Sequence, residues 1–115
     1  MGAFVISKRF NGDFKFVFTS RKGKTIFTSL GYDSKLLCES MIDLVKANLE
    51  SSTYVKFRAS NGKYFFRLVV EQQVVATSRK YTTELRLQKG IDEIVLYAAK
   101  AETLDFSENN FVFSD

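Results

Sequence analysis

The chain has 115 residues, 45% of them hydrophobic and 26% charged, with a net charge of +4; these are the proportions of one ordinary globular domain with a real core. A single cysteine, Cys38, and no histidine exclude an internal disulfide, a multi-cysteine metal cluster and the usual zinc ligand and general base, so no metal or cofactor is expected. There is no proline and only six glycines, which leaves little room for long loops. No apolar run approaches the roughly 20 residues that span a membrane, and the opening residues hold no cleavage pattern, so the expected setting is cytoplasmic with no membrane partner.

Residues 3–9 form a short segment rich in Phe, Val and Ile and read as a first strand. Asn11-Gly12 follows, a strong hairpin signal because both residue types tolerate positive φ. In the next run Phe14, Phe16 and Phe18 alternate with Lys15, Val17 and Thr19, so a second strand turns its rings to one face, which is the core face. A basic turn with Gly23 leads to a third strand over Thr25 to Ser29. Ser34 is the natural N-cap of a helix of about fourteen residues. Cys38, Ile42, Val45 and Leu49 form its apolar stripe.

The same order then repeats. With residue 11 laid on residue 61, Asn61-Gly62, a second strand with Tyr64, Phe66 and Leu68 on one face, a third strand over Val74 to Ser78, the N-cap Thr83 and the stripe Leu87, Ile91, Ile94 and Ala98 fall on their counterparts. One residue is missing where the Arg21-Lys22-Gly23 turn faces Gln72-Gln73, where a hairpin changes length easily. The expected fold is α+β: two tandem βββα repeats, about 2–50 and about 51–100, with pseudo-twofold symmetry and an antiparallel sheet covered by two helices. They form one domain over residues 1–115, with an acidic tail from residue 101 to residue 115.

Asn-Gly-x-Phe-Lys-Phe from residue 11, Thr-Ser-x-x-Tyr-x-Ser-Lys from residue 28 and Ile-Asp-x-Val from residue 42 carry a resemblance: over residues 2–100 the chain resembles the YegP-like family of small bacterial proteins of uncharacterised function. The resemblance implies the tandem strand-strand-strand-helix architecture. Single-copy members are thought to pair as dimers that exchange a terminal strand, which implies that the strand near Tyr54 to Arg58 helps to bind the two units. The family's helix glycine stands as Gly90-Ile91 but is Met41-Ile42 in the first copy, and its turn after the second strand is shortened in the second copy. It brings no assigned reaction.

Cys38 matches Leu87 in the other copy and so reads as core rather than as a nucleophile. Asp43 with Asp92, Ser29 with Ser78 and Tyr32 with Tyr81 recur in both copies; they read as turn-closing and surface groups, with Lys46 a partner for Asp43. Residues 1–100 hold all 17 Lys and Arg against nine acids, and residues 101–115 carry four acids and no base. Lys15 and Arg67 lie opposite the main aromatic row, where Phe65 also sits; an open face there would offer cations beside a ring, as single-stranded nucleic acid requires. The tail ends in Phe111-Val112-Phe113 and has two readings, an edge strand docking its acids against the basic body, which the alternating apolar residues favour, or a disordered solubilising end. The expected class is a non-enzymatic module that binds a protein partner, with single-stranded nucleic acid on Lys15, Phe65 and Arg67 as the second reading. An enzyme built on the duplicated Asp and Tyr positions is the third.

Overall fold

The computed structural model describes residues 2–107. The elements run β1 (Ala3–Lys8), β2 (Phe14–Thr19), β3 (Thr25–Ser29), α1 (Lys35–Ala47), β4 (Thr53–Arg58), β5 (Tyr64–Val70), β6 (Gln73–Ser78), α2 (Glu84–Tyr97), a 3-10 turn over Ala98–Lys100, and β7 (Glu102–Asp105). All seven strands join one sheet in the order β4-β5-β6-β3-β2-β1-β7. Both helices start where the hydroxyls require: Ser34 Oγ accepts from the Leu37 N–H and Thr83 Oγ1 from the Arg86 N–H, each at 3.1 Å.

Alternation along the strands sends Phe4, Phe16, Phe18 and Phe27 to the helix side, where each is fully buried among tilted or stacked rings with centroids 5.0 to 6.3 Å apart. Phe66 and Leu68 do the same from β5. The expected stripes of both helices close over them, Cys38, Ile42, Val45 and Leu49 from α1 and Leu87, Ile91, Ile94 and Ala98 after it, all buried in a core that draws on both halves. The opposite side of the sheet is covered by no described element, and its residues are half-buried or exposed.

Two expectations are corrected. The sheet is mixed rather than antiparallel, because β7 lies parallel to β1 in the register Ala3 with Glu102 through Ile6 with Asp105. A strand that arrives by a helical crossover is free of the antiparallel direction that a hairpin imposes. The strand near Tyr54 to Arg58 does not bind the halves together. It is β4, which among the described residues is the end strand and pairs with β5 alone. The halves meet instead through β3 and β6, in the register Phe27 with Ser78, Thr28 with Thr77 and Ser29 with Ala76, and the element that crosses to the first half is β7.

The start of the tail does dock, as β7. Lys35 holds Asp105 at 3.1 Å and Lys46 Nζ donates to the Ala101 carbonyl at 2.7 Å. Burial opposes the charge on Asp105, but hydrogen bonds from Ser107 and Lys35 outweigh it and hold the carboxyl below its usual range. Lys46 is therefore spent on Ala101 and on the ring of Phe4, 5.4 Å away, rather than on Asp43. Phe111-Val112-Phe113 lies outside the described residues.

The Asn-Gly hairpins differ from a two-residue turn with both residues at positive φ. Only the glycines are left-handed, Gly12 at 91° and Gly62 at 84°. They sit in longer loops in which Asn11 and Asn61 accept from the N–H two residues on, at 3.0 and 3.1 Å. The two-residue turn falls between β5 and β6, one residue before the expected Gln72-Gln73, with Glu71 at φ 49° and Gln72 at φ 68°. Neither residue favours that region. Replacing the pair by Glu71→Asn with Gln72→Gly is expected to stabilise the fold by about 1 kcal/mol in urea unfolding; an unchanged or lower midpoint would contradict strain at this turn.

Candidate functional site

Lys15, Phe65 and Arg67 all reach the uncovered face, as their alternation requires, but they do not come together. Lys15 is on β2, opposite Ser7, and the other two are on β5, with β3 and β6 between. Three strand spacings set Lys15 roughly 14 Å to the side of them, and the register places Arg67 level with Val17 rather than with Lys15. Phe65 instead meets Phe57, its cross-strand partner on β4, in a stack with centroids 5.1 Å apart and planes 17° from parallel. The guanidinium of Arg67 lies 5.1 Å from the Phe57 centroid and 6.0 Å from that of Phe65. Phe57 is 37% exposed and Arg67 is exposed. The sequence reading missed Phe57, although the Asn61-Gly62 hairpin already implied a cross-strand partner for Phe65.

Among the polar residues that recur in both halves, the serines and tyrosines close local turns. Ser29 Oγ accepts from the Phe16 N–H at 2.9 Å and donates to the Leu30 carbonyl at 2.8 Å; Ser78 Oγ does the same with Phe66 and Arg79, at 2.9 and 2.7 Å. Each serine closes its strand-to-helix turn, as expected. Tyr32 and Tyr81 contribute through their backbones, each exchanging two hydrogen bonds with the first residue of the second strand, Phe14 or Tyr64. Asp43 is exposed, and Asp92 accepts from Gln88 at 2.9 Å. No base and nucleophile meet among these groups.

Cys38 is buried in the core, where desolvation first, then Glu39 and Asp105, push its thiol up to about 12. The Tyr32 hydroxyl is buried with no hydrogen-bond partner among the described residues, and burial, with a contribution from Cys38, raises it to about 12. Tyr54 is raised to about 12 by burial.

The densest cationic feature was not legible in the strand pattern. On the helix side lies a recess of about 530 Å³. Lys22 and Lys24 of the β2–β3 turn and Lys63 before β5 line one part of it. Arg79 and Lys80 of the β6–α2 connection and Arg86 and Lys89 of α2 line the rest, with Glu93 the one acid. These residues lie far apart in sequence, and only the closing of the β3–β6 seam brings the β2–β3 turn against α2.

The geometry defines an α+β protein whose two helices share one face of a mixed seven-stranded sheet. Residues 59–105 match the model of a domain of unknown function, DUF1508. The chain is 36% identical over 95 residues to the UPF0339 protein YegP of Escherichia coli strain K12, covering 81% of this chain and 86% of that one. It is 31% identical over 106 residues to a UPF0339 protein of Stutzerimonas stutzeri, covering 90% and 96%. The solution structure of Escherichia coli YegP superposes with a TM-score of 0.85 at 32% identity, over 95% of this chain and 96% of that one. That of a UPF0339 protein from Shewanella oneidensis gives 0.86 at 28%, over 95% and 94%. The chain belongs to the YegP-like, UPF0339 family, whose members are proteins of uncharacterised function.

The raised groups set an alkaline limit. The unfolded chain ionises Cys38 near 9 and the tyrosines near 10, whereas the folded groups hold their protons to about 12. Their contribution is complete below pH 9 and is lost as the pH rises towards 12. Unfolding free energy measured in urea is expected to fall steadily across that interval, and a flat profile would contradict the burial of these groups.

Proposed function

We propose that this protein is a non-enzymatic binding module acting in the cytoplasm, and that its ligand is single-stranded nucleic acid laid on the open sheet face. The observation that carries this reading is the stacked Phe57–Phe65 pair with Arg67 over both rings, on a face that no described element covers. Exposed rings on a sheet give bases a surface to stack on, and a guanidinium beside them meets the phosphates. Lys15, on the other half of the face, serves phosphates farther along the strand. A protein partner is the second reading; Val5, Val17, Val55 and Val69 lie on the same face and favour it.

In the same reading the module is one domain made of two fused βββα units about a pseudo-twofold axis between β3 and β6. Three things support it: the matching element order, the paired roles of Ser29 with Ser78 and of Tyr32 with Tyr81, and the family model spanning only residues 59–105.

Fluorescence anisotropy of labelled single-stranded DNA and RNA at about 50 and about 200 mM salt tests the ligand. The expected result is saturable binding that weakens steeply between the two, with Phe65→Ala losing about 1–3 kcal/mol at either salt and Arg67→Ala lowering the salt slope by about one. No binding at the lower salt would overturn the nucleic-acid reading and leave the protein partner.

A further inference from the structure

The basic recess on the helix side is separate from the sheet face. Seven cations line it against one carboxylate, and among the described residues none of the seven forms an ion pair. Arg79 is occupied by the ring of Tyr81, 5.2 Å from its centroid. That ring is seated by Gly90: a Cβ there would collide with the Tyr81 hydroxyl. Such a concentration of one charge in a small volume repels itself and weakens the fold unless an anion relieves it.

The first half supplies an internal comparison. The residues at the corresponding places are Asp13 for Lys63, Leu30 for Arg79, Gly31 for Lys80, Leu37 for Arg86 and Ser40 for Lys89. The corresponding turn carries Glu71 and Gln72 where the recess has its turn lysines, and Met41 stands where Gly90 seats the ring. Nearby, Arg9 lies against Gly31 and beside Asp13. Two halves with one backbone plan thus differ in sign at this place, so neither the fold nor general solubility demands the cations.

We propose that the recess binds a compact ligand carrying several linked phosphate groups, one per chain. A phosphate monoester brings nearly two negative charges where a carboxylate brings one, so only linked phosphates concentrate enough charge to answer this lining. The volume of about 530 Å³ suits a small molecule, and its enclosure by two connections and a helix suits a compact ligand better than a strand that must run on. Lys supplies the point charges; Arg79, its guanidinium beside the Tyr81 ring, adds the planar donors that make paired hydrogen bonds to phosphate oxygens.

The test is isothermal titration calorimetry with inorganic tripolyphosphate and with a nucleoside triphosphate at about 150 mM salt, where exposed charges are screened beyond about 8 Å. Saturable binding of one equivalent is expected, together with a rise in melting temperature. Arg86→Glu with Lys89→Glu should weaken it roughly a hundredfold, while Phe65→Ala and Lys100→Glu leave it unchanged. Equal affinity for the two probes assigns the site to phosphates alone, and tighter nucleoside triphosphate adds a base contact; both uphold it. All four substitutions are on exposed or half-buried side chains, and the apoprotein of the recess double variant should melt no lower than the parent, because the repulsion is relieved. No saturable binding of either probe, or an equal loss in Lys100→Glu, would overturn the proposal. Neither result bears on the sheet face.

Discussion

The three-residue pairing of β3 with β6 is the contact on which the rest of the molecule depends. By itself each half is a three-stranded sheet with one helix, too small to bury its own aromatic row. Pairing the two third strands makes one continuous sheet, and that continuity places α1 and α2 on the same face over a shared core. Ile26 and Val75 are buried beside the seam, and the backbone crosses it again through Leu30 to Val75 and Arg79 to Ile26. With the helices committed to one side, the other side is covered by none of the described elements. β7 then occupies the free edge of β1, while β4 lies at the far end with no second neighbour among the described residues.

The two halves run through their elements in the same order but carry different side chains on them. Where the first has Lys15 and Val17 on the open face, the second has Phe65 and Arg67, joined by Phe57 from the neighbouring strand. Where the first has Leu30, Leu37 and Ser40 on the helix side, the second has Arg79, Arg86 and Lys89. The positions that build the fold behave in the opposite way: the serines that close the turns, the tyrosines that bridge back to the second strand and the helix stripes have the same role on both sides. Residues that close the turns recur in pairs. Residues that differ in charge between equivalent places are free to serve a ligand.

Much of the architecture was legible in the chain. Strand alternation, the Ser34 and Thr83 caps and the helix stripes are local signals with short periods, and β1 to β6, α1 and α2 appear within a residue or so of their expected bounds. What depends on distant contacts was not. The parallel β7, the outer position of β4 and the β3–β6 seam follow from where crossovers deliver the chain, which no local pattern encodes. Lys46 turned out to serve Ala101 because β7 docks beside α1. On the open face, alternation placed Lys15, Phe65 and Arg67 on the correct side but was silent about the strands between them. The basic recess gathers its cations from widely spaced segments and became visible only once those segments were neighbours.

Amide chemical-shift mapping with a short single-stranded oligonucleotide tests the central claim most directly, because it reports the place of binding as well as its occurrence. Perturbations are expected to concentrate on β4 and β5 around Phe57, Phe65 and Arg67 and to extend across the sheet towards Lys15, with α1 and α2 quiet. Perturbations confined to the helix side, or none at all at saturating oligonucleotide, would contradict it.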